Sequence, residues 1–388
     1  MVEHLKNDAE QLTPQLIEWR RDFHRHPELA NQERRTSSVV RAHLEKLHIR
    51  VRSAAGTGLV GVLEGRPGGK TVALRADMDA LPLLEQGPKE QYISQNAGAT
   101  HACGHDGHMS ILMGTAQLLA RRKEELKGKI VFLFQPSEER IPGGAKPMVE
   151  EGALDGVDAV FGLHLWQMLP TGKVASVPGP MMAAPDEFTI KITGRGGHGS
   201  TPHLTIDPIV VAAHLVVNLQ TVVSRSVDPL RSAVLTVGAI SAGTIYNIIP
   251  CEATLMGTVR TFDPQVQDLM EKRIREVLAG TCDTFGATSE IRYERGYPAV
   301  VNDPAMAALV HDVARKNLGE QSVMNIDPVM GGEDFAYYLK KTPGAFIFFG
   351  MGDGTTYPHH HPGFDIDEKS LPQATLLMSA LALEYLNR

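Results

Sequence analysis

The segment Lys129-Ile-Val-Phe-Leu-Phe-Gln-Pro-Ser-Glu-Glu139 decides the fold, because two carboxylates follow at once on a short apolar run. Residues 129–134 are compact and apolar, as strands are when a sheet is covered on both faces. A second run of this kind, 158–163, leads directly into His164. Helical and strand patterns alternate across the first third of the chain, and this order predicts an α/β layer architecture.

The elements of this α/β part follow from periodicity and from helix start signals. Thr13-Pro14 predicts a helix start by a cap followed by proline in the first turn. Further helices are predicted through Val40, Leu44 and Leu47, over about 106–126, near Pro304–Leu318 and near 371–386. The predicted strands are 58–63, 71–74, 129–134, 158–163 and 345–350.

The order of predicted elements changes between residues 186 and 298, where it is β-α-β-β-α-β. The predicted strands are 187–193, 233–240, 253–261 and 289–293, and the predicted helices are 206–223 and Pro264–Phe285. This is the ferredoxin-like pattern, complete within one insert. Ligand-type residues lie on both sides of it, so we expect a discontinuous first domain, 1–185 and 299–388, around an inserted domain, 186–298.

Composition excludes several classes of protein. A chain of 388 residues suggests two domains, and a net charge of -7 argues against a nucleic-acid-binding protein. Five arginines cluster near the N-terminus among acidic and apolar residues, and we interpret them as a solvated helix face. They are Arg20, Arg21, Arg25, Arg34 and Arg35.

We expect neither a secretory signal nor a membrane span. The long apolar run 206–223 contains Asp207, His214 and Gln220, which a bilayer span would rarely carry. The cysteines, Cys103 among them, number three and lie far apart, which favours a reducing cytoplasm over a disulfide framework.

The predicted helix 206–223 is apolar around most of its circumference, more than one small sheet can cover. We therefore expect a homodimer contact through the inserted domain, with a tetramer as the larger alternative. The helix could instead pack between the two domains of its own chain.

Thiolate, imidazole and carboxylate groups follow several strands and suit a borderline transition metal. The donors are Cys103 and His105, the adjacent Glu138 and Glu139, His164, and one histidine of the cluster at 359–361. Taken alone, Cys-x-His could be a buried cysteine beside a capping histidine, and Ser-Glu-Glu a solvated loop. Three placements after apolar strands instead favour a ligand site at the end of an open α/β sheet.

Glu138 and Glu139 cannot comfortably bind one ion together because they are neighbours in the chain. One can bind metal while the other takes a proton from water and returns it to a leaving nitrogen. Five candidate ligands exceed the need of one tetrahedral structural site. The sequence therefore predicts a metal-dependent hydrolase with two metals.

With these residues in place, the chain closely resembles the aminoacylase/carboxypeptidase superfamily of dinuclear metal amidohydrolases, in its hippurate hydrolase and indole-acetyl-amino-acid hydrolase branch. The resemblance implies a metallo-aminopeptidase-like catalytic domain, with a mixed sheet covered by helices, and a dimerising lid. The motifs that carry it are His24-Arg-His-Pro-Glu-Leu29, Arg75-Ala-Asp-Met-Asp-Ala-Leu-Pro82, 101–108, 135–139, Gly197-His-Gly-Ser-Thr-Pro-His203, Gly331-Gly-Glu-Asp-Phe335 and His360-His-Pro362.

The resemblance also assigns roles to individual residues. It implies metal ligands at Cys103, His105, Glu139, His164 and His360. Glu138 matches the catalytic base, and Asp77 matches an aspartate that lies near that base in relatives. His198 would reach the active site of the partner subunit, and Asn247 and Arg260 would bind the substrate's carboxylate end.

One departure concerns Arg75, because many superfamily members have a ligand histidine two residues before the aspartate that Asp77 matches. Arginine cannot ligate, and Cys103 with His105 compensates in the branch named above. The two divalent ions could accordingly be zinc, manganese, nickel or cobalt.

The function expected is hydrolysis of an N-acyl-amino acid to a carboxylate and a free amino acid. The alternatives are a metal-dependent dipeptidase or carboxypeptidase, a deacetylase of N-acetyl-diaminopimelate, a thiol hydrolase with Cys103 as nucleophile, and a non-catalytic metal-binding protein.

Overall fold

Apolar strands and capped helices alternate along the chain. The computed structural model describes residues 2–87, 89–352, 354–355 and 357–388. The helices are α1 (Val2–Gln11), α2 (Thr13–Arg25), α3 (Arg34–Lys46), α4 (His105–Ala120), α5 (Ala145–Glu150), α6 (Pro208–Ser226), α7 (Pro264–Phe285), α8 (Pro304–Leu318), α9 (Ala336–Lys341) and α10 (Ser370–Leu386). The strands are β1 (Arg50–Ala54), β2 (Gly58–Glu64), β3 (Arg66–Asp77), β4 (Lys127–Gln135), β5 (Ala159–Pro170), β6 (Val174–Ala175), β7 (Gly179–Met182), β8 (Ala184–Thr193), β9 (Gly197–His198), β10 (Ala233–Ala242), β11 (Ile248–Ile249), β12 (Glu252–Thr261), β13 (Thr288–Arg295), β14 (Val300–Asn302) and β15 (Gly344–Gly352).

The described residues form two compact units. The first comprises residues 1–181, 301–327 and 334–388, and the second comprises 182–300 and 328–333. The domain boundaries proposed from the sequence, 186 and 298, stay a prediction.

A seven-stranded mixed sheet forms the centre of the first unit, in the order β1-β2-β4-β3-β5-β15-β6. The four middle strands, β4, β3, β5 and β15, are parallel to one another. The outer pairs β1–β2, β2–β4 and β6–β15 are antiparallel. Strand β15 is buried throughout, and β3, β4 and β5 are buried over most of the length where they pair with one another, as strands covered on both faces must be. The predicted α/β class with a mixed sheet is confirmed.

The helices α2, α4, α8 and α10 pack around one another and against this sheet. Helix α4 is buried on nearly all sides, and its first turn carries the buried polar residues His105, Asp106 and His108. Core side chains that join these helices to the strands include Leu16, Phe132, Phe161, Leu112 and Leu377.

The second unit has a four-stranded antiparallel sheet in the order β10-β12-β8-β13. Helices α6 and α7 cover one of its faces, where Phe188, Leu215, Leu255 and Ile274 form a separate core. Helix α6 is the one described helix that is long and apolar enough to cross a membrane, with a mean hydropathy of 1.3. Its buried stripe packs on the sheet, so the core of this unit accounts for part of that apolar surface.

Several predicted details are wrong. Helix α4 ends at Ala120 rather than near 126, and a short 3-10 turn, Lys123–Glu125, follows it. Thr13 does not cap α2, since its hydroxyl donates to the Glu10 carbonyl oxygen at 2.7 Å. Strand β5 continues past residue 163, because its second half pairs with β15.

The position of Arg20 also shows that the interpretation of a solvated arginine face is wrong for this residue. Its side chain is fully buried, with Nε 2.8 Å from Asp106 Oδ2 and Nη2 2.5 Å from Asp365 Oδ1. The side chains of Arg21, Arg25 and Arg35 remain about one-third exposed.

Candidate metal centre

The candidate donors gather at the carboxyl ends of the parallel strands, where open α/β sheets hold ligands. Asp77 is the last residue of β3, and Glu138 and Glu139 follow β4 after a short turn. His164 lies within β5, level with Phe348 on the neighbouring parallel strand β15.

A tight turn brings Cys103 and His105 together at the start of α4. Gly104 lies between them with φ 89°, a left-handed conformation that favours glycine. The backbone N–H of His360 donates to the Ala102 carbonyl oxygen at 2.8 Å, so the C-terminal loop is held against this turn.

The predicted ligands form two groups of three that share one residue. The donor atoms of Cys103, His105 and His164 lie within 4.8 Å of one another, as do those of Cys103, Glu139 and His360. Cys103 Sγ is 3.4 Å from His164 Nε2, and Glu139 Oε1 is 3.3 Å from His360 Nε2. Three protein ligands are the usual set of a catalytic zinc site. The arrangement therefore suits two ions with the Cys103 sulfur common to both.

The imidazoles are oriented as metal ligands. His105 Nδ1 donates to the Asp79 carbonyl oxygen at 2.8 Å, and His164 Nδ1 donates to the Leu165 carbonyl oxygen at 2.8 Å. Both Nε2 atoms consequently face the centre, where each can offer its lone pair to a metal that displaces the proton there. His105 Nε2 is buried without a hydrogen-bond partner. An unsatisfied nitrogen in this position fits a metal, because burial without a partner is otherwise costly.

The charges around the donors are strongly coupled. Burial raises the pKa of the Cys103 thiol well above its ordinary value, and the carboxylates of Glu139, Glu138 and Asp77 raise it further. Burial alone would lower the pKa of His105, but Asp77, Asp79 and Glu139 raise it to about 10. A divalent cation would relieve this excess of negative charge by displacing protons from both donors.

Asp77 lies against the histidines of α4. Its Oδ1 accepts from His108 Nδ1 at 2.6 Å, and its Oδ2 is 3.6 Å from His105 Nε2. Burial alone would raise the pKa of Asp77, but His105, His108 and Arg75 hold it well below its usual range. His108 is not free to ligate, because its Nε2 accepts the Leu165 N–H at 2.8 Å.

Arg75, at the position where a histidine ligand was expected from the superfamily, is a buried cation. It donates to Asp77 Oδ2 at 2.7 Å, to Gln135 Oε1 at 2.8 Å and to Asp334 Oδ1 at 3.1 Å. It therefore anchors the ends of β3 and β4 instead of binding metal.

Glu138 lies beside the centre, with its side chain 6% exposed. One of its oxygens is within 4.8 Å of the donor atoms of His105 and Glu139. Its carboxylate therefore lies close enough to the donor atoms to contact a water molecule bound among them, as a general base must.

Only one residue of the histidine cluster belongs to the two ligand groups. The side chain of His360 is 55% exposed at the mouth of the centre. His359 donates through Nε2 to the Leu165 carbonyl oxygen at 2.9 Å, and burial lowers its pKa to about 3. His361 accepts the Gly363 N–H at 3.0 Å and stacks on the Tyr357 ring.

Three of the predicted site residues belong to the second unit. His198 lies in β9, exposed, and its Nδ1 is 2.7 Å from the Ser200 hydroxyl. Asn247 is beside it, since the Gly199 N–H donates to the Asn247 carbonyl oxygen at 2.8 Å. Arg260 lies apart from this ribbon on β12, half-buried, and burial lowers its pKa.

Arg260 faces the side of the sheet away from the helices. A cavity of about 350 Å³ there is lined by acidic and basic side chains, including Glu187, Arg260, Arg292 and Glu294. This face can accept a ligand that carries an anionic group beside a polar one.

Sequence reasoning missed the residues that position the ligands. Asp79, two residues after Asp77, accepts the backbone N–H groups of Glu138 at 2.9 Å and Glu139 at 3.0 Å. Asp106, next to His105, accepts from Arg20 and from His24 Nδ1 at 2.7 Å. In the sequence, these two residues are marked only by their positions: Asp79 follows Asp77 by two residues, and Asp106 follows His105 directly.

Comparison with known proteins identifies relatives along the whole chain. Residues 73–384 match the sequence profile of peptidase family M20/M25/M40. The N-acyl-L-amino acid amidohydrolase of Geobacillus stearothermophilus is 45% identical over 301 residues, 77% of this chain and 81% of that protein. Thermostable carboxypeptidase 2 of Saccharolobus solfataricus is 41% identical over 396 residues, 100% of both chains.

A solved structure agrees with this relationship. The YXEP protein of Bacillus subtilis, described as a dinuclear metal-binding peptidase of the M20 family, superimposes with a TM-score of 0.84. The two sequences are 37% identical, and the match covers 97% of this chain and 99% of that one.

Proposed function

The chain belongs to peptidase family M20/M25/M40, and from that membership we propose that it hydrolyses the amide bond of N-acyl-amino acids. The observation that carries this proposal is the pair of donor triads that share Cys103, with the Glu138 carboxylate beside them. The products would be a carboxylate and a free amino acid.

Two divalent ions would be held by Cys103, His105 and His164 on one side and by Cys103, Glu139 and His360 on the other. When bound, such ions polarise a carbonyl group and lower the pKa of water to about 7. The thiolate favours zinc, while the imidazole and carboxylate donors also accept manganese, nickel or cobalt.

Glu138 would move the proton. Its carboxylate would accept a proton from the attacking water as the oxygen adds to the amide carbon. It would then deliver that proton to the nitrogen as the C–N bond breaks, so acid and base are the same group. Asp77 would keep His105 and His108 in place through its two oxygens, and these histidines together with Arg75 would hold the pKa of Asp77 low.

The second unit would bind the substrate. His198 presents an exposed imidazole that can donate to a developing oxyanion, and the resemblance assigns this role across a subunit boundary. The planar guanidinium of Arg260 suits a free α-carboxylate. Asn247 is exposed on a separate ribbon, and only the resemblance assigns it to the same end of the substrate.

A dipeptidase or carboxypeptidase activity is the second candidate, and the Saccharolobus solfataricus relative is named a carboxypeptidase. A deacetylase of N-acetyl-diaminopimelate would use the same centre. A thiol hydrolase fits poorly, since the raised pKa of Cys103 keeps the sulfur protonated and a neutral thiol is a weak nucleophile.

The decisive experiment is a panel of N-acetyl- and N-benzoyl-amino acids and dipeptides, tested with the enzyme loaded with each candidate metal. We expect turnover of acyl-amino acids that chelation abolishes and one of the metals restores. Hydrolysis of dipeptides alone would favour the second candidate. Full activity after complete metal removal would contradict the metal mechanism and favour a thiol hydrolase.

A homodimer would form through α6. The helix leaves Val210 and Val217 exposed at 42% and 68%, and Leu230 and Tyr246 of the same unit are exposed as well. Val217→Lys should give a monomer in sedimentation. Thr284→Lys, which places a lysine on the exposed face of α7, should not. A monomeric wild-type chain at micromolar concentration would contradict the dimer.

The reducing cytoplasm is the compartment that suits this centre. Cys103, Cys251 and Cys282 are all free, and the metal site needs the first as a thiolate.

A further inference from the structure

The segment that carries Glu138 and Glu139 is held by buried anions. Three successive backbone N–H groups donate to carboxylates: Ser137 to Glu33 Oε1 at 2.9 Å, and Glu138 and Glu139 to Asp79 at 2.9 Å and 3.0 Å. A run of consecutive N–H groups converging on anions is a backbone nest. The conformation of the segment therefore depends on side chains from elsewhere in the chain.

Replacement of the carboxylate by its isosteric amide would have different effects at Glu33 and at Asp79. At Glu33, a single oxygen accepts the Ser137 N–H, and a glutamine could keep that bond. At Asp79, Oδ1 accepts from Glu138 and Oδ2 accepts from Glu139. An asparagine would have to turn its NH₂ group toward one of these N–H groups, which leaves a buried donor unsatisfied.

Asp79 also contacts the metal centre through its main chain. Its carbonyl oxygen accepts from His105 Nδ1 at 2.8 Å, and this bond selects the tautomer in which Nε2 faces the donors. The residue is fully buried, so solvent cannot replace these bonds. One residue thus touches the segment of the base, the ligand Glu139 and the ligand His105.

We propose that Asp79 is the positioning residue of the centre: its carboxylate sets the places of Glu138 and Glu139, and its backbone carbonyl orients His105. The part that concerns Glu138 rests on the proposed function. The part that concerns Glu139 rests only on metal binding, so each can be tested without the other.

The test compares Asp79→Asn with Glu28→Gln. Glu28 is a matched control because its two oxygens likewise accept two successive backbone N–H groups, those of Arg35 at 3.0 Å and Thr36 at 2.8 Å. That carboxylate serves the start of α3 and touches none of the donors. Zinc affinity is measured by competition with a chelating dye, kcat and KM with an acyl-amino acid, and thermal unfolding on the metal-free proteins.

Loss of a group that orients a metal ligand usually costs about 10–100-fold in affinity or activity. We expect Asp79→Asn to lose at least about tenfold in zinc affinity and in kcat, with KM within about threefold. We expect Glu28→Gln to match the wild type within about twofold in zinc affinity, kcat and KM. Metal-free Asp79→Asn should keep one cooperative thermal transition, at a lower temperature because a buried donor is left unsatisfied.

Zinc affinity of Asp79→Asn within about twofold of the wild type would overturn the proposal. A metal-free Asp79→Asn that has lost its cooperative thermal transition would also overturn it, because the role would then be general folding. If the wild type hydrolyses no acyl-amino acid, the proposed function fails, while the zinc measurement still decides the position of Glu139.

Discussion

Because Cys103 belongs to both donor triads, removing it should affect both metal positions, whereas removing His164 should affect one. In Cys103→Ala, each triad is reduced to two donors. In His164→Ala, the triad of Cys103, Glu139 and His360 keeps all three. Three protein ligands hold a catalytic zinc ion. We therefore expect about two ions per chain in the wild type, about one in His164→Ala and about none in Cys103→Ala.

The assay is elemental analysis after chelation, reloading with zinc and gel filtration, scaled to protein concentration. His361→Ala is the control, since its ring accepts the Gly363 N–H and belongs to neither triad. That variant should keep about two ions. Equal metal contents in Cys103→Ala and His164→Ala would refute the shared sulfur.

Three further predictions concern catalysis, pH and packing. Glu138→Ala should keep its metal and lose about 10²-fold or more in kcat, and more than a tenth of the wild-type rate would count against a general base. Burial alone would raise the pKa of Glu85, but His24 and Lys89 lower it from 4.5 to about 2. Its stabilising effect is therefore complete above pH 4.5 and is lost as the pH falls toward 2, so the unfolding free energy of the metal-free wild type should fall more steeply across that range than that of Glu85→Gln. Parallel curves in denaturant titrations would exclude this. Gly162→Ala should cost about 1–3 kcal/mol in unfolding free energy, because its Cβ would lie 2.7 Å from Phe335 Cε2, and Gly280→Ala, with no heavy atom within 4 Å, should be neutral or stabilising.

Much of the fold could be predicted because its signals are local. The bounds of α7 and α8 agree with prediction, since Asp263-Pro264 and Asp303-Pro304 supply a cap and a proline at the first turn. The continuation of β5 to Pro170 could not be predicted, because it depends on pairing with β15, far along the chain.

The donors of the centre could be named from chemistry and resemblance, while their supports could not. Asp79 acts on backbone N–H groups, which every residue carries, so no sequence pattern marks the contact. Arg20 was misread because its partners Asp365 and Glu368 lie more than 340 residues away. The roles of the donors themselves stay predictions for the experiments above.

Burial of Cys103 affects how easily the metal-free protein is oxidised. The residue is 8% exposed, and burial raises the pKa of its thiol, which favours the protonated form that peroxide attacks slowly. The exposed Cys251 lacks this shelter. A newly synthesised chain can thus keep the Cys103 sulfur reduced until it binds metal. Oxidation of this one sulfur would remove a ligand from both metal positions.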